Sequence, residues 1–120
     1  MTASTPTFAD LTTMGVGGPA ARMVSPTTEQ DLVDQTLAVW ASGDEWLLLG
    51  GGSNTIVADE GFDGTVIRVL TRGVSVGSSS SSDPDRLVLR VQAGEPWDEL
   101  VAYAVAQGWS GIEALSGIPG

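Results

Sequence analysis

No cysteine, histidine or lysine occurs among the 120 residues. Without cysteine there are no disulfides and no thiolate chemistry. Without histidine there is no Ser-His-Asp or Cys-His catalysis, and most zinc sites are excluded, so no metal-ligating residue is assigned. Without lysine neither a Schiff base nor a Walker-type phosphate lysine can form. If this chain serves an enzyme, a cofactor must carry the chemistry. Long hydrophobic runs are missing as well: none approaches the roughly 20 apolar residues that a membrane helix needs. Positive charge is scarce, with five Arg against 15 acidic residues and a net charge of −10. That balance argues against nucleic-acid and polybasic membrane partners. The start, Met1-Thr2-Ala3-Ser4-Thr5-Pro6, has neither the basic region nor the apolar core of a signal peptide. Cytoplasmic residence is the expectation, and no obligate protein partner is evident.

What is present suffices for one modest domain, since apolar residues make up 42% of the chain. Residues 20–24 are a short apolar stretch suited to a strand. Thr27 and Gln30 have capping-box spacing. Leu32, Val33, Thr36, Leu37 and Trp40 then recur at helical spacing, predicting a helix over 28–42 with Gly43 as its stop. Trp46-Leu47-Leu48-Leu49 is a continuous apolar run fit for a buried strand. Residues 65–70 predict a further strand. A serine-rich loop at 77–85 reads as a solvated hairpin connection leading to alternating Leu87, Leu89 and Val91. Pro96 can open a helix, with Trp97, Leu100, Val101, Ala104 and Val105 as its apolar stripe and Gly108 as its stop. Apolar residues and turn formers run to the last residue, the pattern expected of a truncated sequence.

The sharpest local feature is Gly50-Gly51-Gly52-Ser53-Asn54, directly after the Leu47–Leu49 run. Glycines permit positive φ and close approach of a ligand. Consecutive N–H groups can converge into a concave anion site, and Ser53 and Asn54 add side-chain donors. A pyrophosphate could be held this way with no lysine. The motif fits neither a Walker loop nor G-x-G-x-x-G, and Thr55-Ile56-Val57 does not look like a helix opening. By itself it is equally compatible with a tight turn.

Leu49-Gly50-Gly51-Gly52-Ser53-Asn54 resembles the pyrophosphate loop of flavoproteins related to p-cresol methylhydroxylase (PCMH) and vanillyl-alcohol oxidase. Further blocks are similar to the UDP-N-acetylenolpyruvoylglucosamine reductases. One is Thr12-Thr13-Met14-Gly15-Val16-Gly17-Gly18, with Leu11-Thr12 where that family usually has Asn. Another is the glycine loop followed by Asp59, Gly61, Phe62, Gly64 and Thr65. The others are Ala93-Gly94-Glu95-Pro96-Trp97-Asp98-Glu99-Leu100 and Gly111-Ile112-Glu113-Ala114-Leu115-Ser116-Gly117-Ile118-Pro119-Gly120. They occur in the family's order over nearly the whole chain from about Thr12.

The resemblance implies an α+β fold, in which two small α/β subdomains of the PCMH type hold FAD between them. Residues 1–11 would be a tail. Residues 12–120 would be the FAD-binding domain, with a first subdomain at about 12–70 and an incomplete second one at about 71–120. Gly50, Gly51, Gly52, Ser53 and Asn54 would hold the pyrophosphate of non-covalent FAD. Ser116, Gly117, Ile118, Pro119 and Gly120 would run along the cofactor. A second candidate border is residues 12–18. The implied activity is reduction of UDP-N-acetylglucosamine enolpyruvate, a small-molecule UDP-sugar, to UDP-N-acetylmuramate for peptidoglycan, with NADPH as reductant. The family's catalytic Arg, Glu and Ser fall downstream, so no catalytic residue is assigned here. Neither the Asp98-Glu99 pair nor Glu113 is put in their place, and the segment is expected to be inactive alone. The alternatives are another PCMH-type FAD oxidoreductase acting on a sugar or alcohol, or a non-catalytic nucleotide-binding module. Oxidases that link FAD covalently through histidine have no attachment point in this chain.

Overall fold

A computed structural model describes residues 5–77 and 82–119. Helix α1 (Phe8–Leu11) leads into β1 (Ala20–Val24), α2 (Glu29–Ser42), β2 (Trp46–Leu49) and β3 (Phe62–Arg68). Strands β4 (Val74–Gly77) and β5 (Val88–Val91), helix α3 (Trp97–Ala106) and a 3-10 turn (Glu113–Leu115) follow. The fold is α+β, and the strands form two separate sheets. In the first, β3 lies between β1 and β2 and runs parallel to both, with Leu47 opposite Val66 and Leu49 opposite Arg68. In the second, β4 and β5 pair antiparallel, from Val74 opposite Val91 to Gly77 opposite Val88.

The core sits against the parallel sheet. Phe8, Leu49 and Val66 are fully buried and cluster with Ala20, with Leu11, Met23, Leu47, Val57 and Phe62 packed around them. Residues 7–11, placed in a tail by the sequence reading, are therefore part of the packed structure. Thr7 bridges to Pro19, and the Phe8 N–H donates to the Gly18 carbonyl at 2.9 Å. A capping interaction starts α1, the Asp10 carboxylate accepting from the Thr7 N–H at 2.8 Å and from its hydroxyl at 2.9 Å. These bonds favour the ionised carboxyl and hold Asp10 below the ordinary aspartate range, the backbone N–H contributing most.

Helix α2 begins one residue later than the Thr27–Gln30 spacing suggests. Thr28 is its cap, accepting from the Asp31 N–H at 3.1 Å. Gly43 ends it in the left-handed conformation, φ 76°. The buried face also differs from the predicted stripe. Val39 is buried and Leu32 and Thr36 are half-buried, whereas Val33, Leu37 and Trp40 are exposed. Trp40 instead packs on Trp46, with ring centroids 5.9 Å apart. Helix α3 buries Leu100, Val101 and Ala104 as expected, but Val105 is exposed. Strand β3 starts three residues before the predicted 65–70 strand, and β4 was not expected at all. The hairpin connection loses residues 78–81 to the part outside the described residues.

A candidate nucleotide groove at the sheet edge

Because all three strands of the first sheet are parallel, their carboxyl ends lie at one edge. In open α/β sheets this is the edge that receives ligands. The Gly50–Asn54 loop leaves β2 there, and Arg68 ends β3 there. The chain then crosses to the second sheet. The Val69 N–H donates to Leu49 and the Leu70 N–H to the Pro26 carbonyl, both near 3 Å. Thr71 is buried, and its hydroxyl accepts from the Gly94 N–H at 3.3 Å. A side chain at Gly94 would lie 2.5 Å from the backbone of Thr71, so this crossing requires glycine at 94.

An open groove of about 570 Å³ runs along the crossing, within the size range of small-molecule sites, roughly 300–1,000 Å³. One wall carries Gly50, Gly51 and Ser53; the floor carries Arg68, Val69 and Leu70; the other wall carries Gly94, Trp97 and Ile118. Of the ten residues proposed from the sequence, Gly50, Gly51, Ser53, Gly117 and Ile118 line this one groove. Gly52, Asn54, Ser116 and Pro119 do not line it, and Gly120 lies outside the described residues. Thr13, from the second candidate border, also lines it.

The loop's glycines have different jobs. At Gly52, φ is +74° and a Cβ would sit 2.1 Å from the Leu11 carbonyl oxygen. Its own carbonyl accepts from the Thr13 N–H at 3.0 Å. Gly52 therefore fastens the loop to the segment after α1. At Gly51 a Cβ would meet nothing within 4 Å, so this position faces open space in the groove. Among the described residues, the N–H groups of Gly51, Gly52, Ser53 and Asn54 have no acceptor elsewhere in the chain. No helix follows the loop, so these donors are loop amides and not a helix terminus.

The far wall is held by Asp98, to which the sequence reading gave no site role, and by Trp97, which it placed in the apolar stripe of the helix. Asp98, in the first turn of α3, accepts from the Gly117 N–H at 2.7 Å and the Ser116 hydroxyl at 3.1 Å. The Trp97 indole N–H donates to the Leu115 carbonyl at 2.7 Å. Together they clasp residues 115–117 to the start of α3. Glu113 accepts from the Gly111 N–H, and backbone N–H groups, its own foremost, keep its carboxyl below the usual glutamate range. Arg72 lies between Glu95 and Glu99, 3.5 and 3.4 Å away, while Glu95 also accepts from the Gly73 N–H at 2.8 Å. The Ala93–Leu100 block was visible as a motif, but only the fold shows that it forms a wall. No cluster of three or more acidic side chains able to hold a metal occurs among the described residues.

Parallel strands, a glycine loop at their carboxyl edge and a facing helix with an appended loop define a nucleotide-binding α+β domain. Residues 19–120 match the family of the FAD binding domain, and the chain belongs to that family. It is 58% identical over 115 residues to the UDP-N-acetylenolpyruvoylglucosamine reductase of Leifsonia xyli subsp. xyli, covering 96% of this chain and 30% of that protein. It is 50% identical over 109 residues to the enzyme of the same name from Salinispora arenicola, covering 91% and 29%. The crystal structure of UDP-N-acetylenolpyruvylglucosamine reductase from Thermus caldophilus superposes with a TM-score of 0.66 at 32% identity, covering 95% of this chain and 37% of that one. The chain thus spans about 30% of the length of these curated relatives. Among the described residues, no helix is long and apolar enough to cross a membrane.

Proposed function

We propose that this chain is the FAD-holding part of an NADPH-dependent reductase that converts UDP-N-acetylglucosamine enolpyruvate to UDP-N-acetylmuramate in the cytoplasm. The observation that carries the reading is the set of loop N–H groups without acceptors beside a groove that Gly51 leaves open. In this reading Gly50, Gly51 and Ser53 receive the pyrophosphate, with Gly52 and Asn54 shaping the loop behind them. Gly117 and Ile118 border the cofactor from the opposite wall, with Ser116 tied to Asp98 behind them. When bound, the flavin supplies the hydride relay that no side chain of this chain can provide. The protein's part is to fix the dinucleotide through backbone donors, which need no reorganisation when an anion arrives. Proton donation and enolate stabilisation are assigned to no residue of this chain.

The test is purification of the full-length protein. It should be yellow, release FAD to the supernatant on denaturation, and oxidise NADPH only when UDP-N-acetylglucosamine enolpyruvate is added. A colourless protein that retains no flavin after incubation with FAD and removal of the unbound cofactor would overturn the proposal.

A further inference from the structure

The charges along the groove do not suit an anion unless one of them is counted differently from the rest. Its ionic lining is Arg68, Arg72, Glu95 and Asp98. Asp98 is spent on Ser116 and Gly117. Arg72 is matched by Glu95 and by Glu99 beside it. Elsewhere, Arg22 lies 3.9 Å from Asp44 and donates to the Thr65 hydroxyl, Arg86 pairs with Asp83, and Arg90 is solvent-exposed on β5, outside the groove lining. Arg68 has neither an ion pair nor a side-chain hydrogen bond among the described residues, although it is half-buried. A half-buried guanidinium with all its donors unmatched is poorly used unless an acceptor arrives from outside the chain.

Its position is set by the strand. Side chains alternate along β3, so Arg68 shares a face with the core residue Val66. It stands opposite Leu49 in register, one residue before the glycine loop begins. The same groove holds Arg68, Gly50, Gly51 and Ser53. We infer that Arg68 is the counter-charge for the diphosphate of the bound dinucleotide, acting together with the loop N–H groups. This rests on the proposed FAD site and adds a side chain to it. In a chain of net charge −10, backbone dipoles alone would have to draw in a doubly charged group. A guanidinium at the strand end offers planar paired donors to phosphate oxygens, which an ammonium cannot reproduce.

The experiment is FAD titration of the full-length apoprotein, followed by flavin fluorescence, for the unsubstituted protein, Arg68→Gln, Arg68→Lys and Arg86→Gln. Hydrogen bonds to charged groups contribute about 1.5–3 kcal/mol, so Arg68→Gln should weaken FAD about ten- to a hundredfold. Arg68→Lys should recover part of that loss, and Arg86→Gln, on the β4–β5 connection, should bind as the parent does. Affinity should fall with added salt in the parent and less steeply in Arg68→Gln, because the screened charge has been removed. Failure of the parent to bind FAD would overturn the functional reading beneath this one. If the parent binds and Arg68→Gln binds within twofold, with the same salt dependence, the assignment to Arg68 alone is wrong. An apoprotein melting temperature that drops as sharply in Arg68→Lys as in Arg68→Gln would show a structural role instead, and would also overturn it.

Discussion

The two sheets differ in how they are supported. The parallel sheet has a buried cluster that takes residues from α1, all three strands and the segment between them. The antiparallel sheet has two strands, and Leu87, Val88, Val76, Tyr103 and Val105 around it remain exposed. Two strands alone are marginal in water. The groove lies along the crossing from one to the other, so one wall is fixed by the parallel sheet's cluster and the other by α3, which buries Leu100, Val101 and Ala104, with polar clasps tying residues 115–117 to it. A site built this way keeps its anion loop in shape while the facing wall, held by Asp98 and Trp97, has the lower local stability.

The sharpest way to break this comparison is a pair of truncations in the 120-residue chain. Phe8→Ala removes a fully buried ring and should cost about 3–5 kcal/mol in denaturant unfolding. Val105→Ala, on an exposed face, should change stability by less than about 0.5 kcal/mol. Equal losses would mean that the two halves share one core. The next contrast lies within the loop. Gly52→Ala combines positive φ with a clash against Leu11 and should destabilise by roughly 3 kcal/mol. Gly51→Ala has free space around the new methyl group and should leave the melting temperature alone while weakening FAD binding severalfold. A Gly51→Ala protein that melts early but binds FAD normally would reverse the roles given to these glycines.

The smallest effect concerns pH. Asp10 is ionised more readily in the folded chain than its ordinary value of 3.8 would allow. A lowered folded pKa stabilises fully above the unfolded value and loses that contribution as pH falls through the folded one. Asp10→Asn should therefore lower the melting temperature at pH 6, and the gap to the parent should close as pH falls through the lowered folded pKa. A gap that widens on acidification would contradict the capping role.

Much of this architecture was legible because local rules agree with it. Gly43 stops α2, Pro96 opens α3, and the apolar run at Trp46–Leu49 is a strand, although it lies at the sheet's edge with Trp46 and Leu48 exposed, and the cap of α2 falls on Thr28, one residue after the expected Thr27. The buried face of α2 was not legible, because apolar residues lie on two sides of that helix and periodicity cannot choose between Val39 and Leu37. Strand β4 escaped because Val-Ser-Val-Gly beside a serine run has too little pattern to stand out. Phe8 looked like part of a tail because its partners, Leu49 and Val66, are more than 40 residues away along the chain. At the candidate site the composition of the glycine loop fitted an anion site and a tight turn equally well, and only the family resemblance gave it a role. Arg68 and Asp98 were not recognisable, since nothing local shows that a strand end and a helix start face one groove. An arginine closing a run of β-branched residues just where a parallel strand should end was the available signal for the first.

The order β1-β3-β2 also bears on how the chain is made. Neither outer strand pairs with the other; each waits for β3, which ends at Arg68 and is made after both. Until then Phe8 has no Val66 beside it, and every ladder bond of the first sheet is pending. Helices can form as they emerge, but sheet closure becomes a late, long-range event. During that interval the apolar Trp46–Leu49 strand is exposed in a nascent chain with nothing to pair with. A pause in translation before residue 62 would lengthen that exposure, whereas one after residue 68, once the tunnel is cleared, would let the sheet close first.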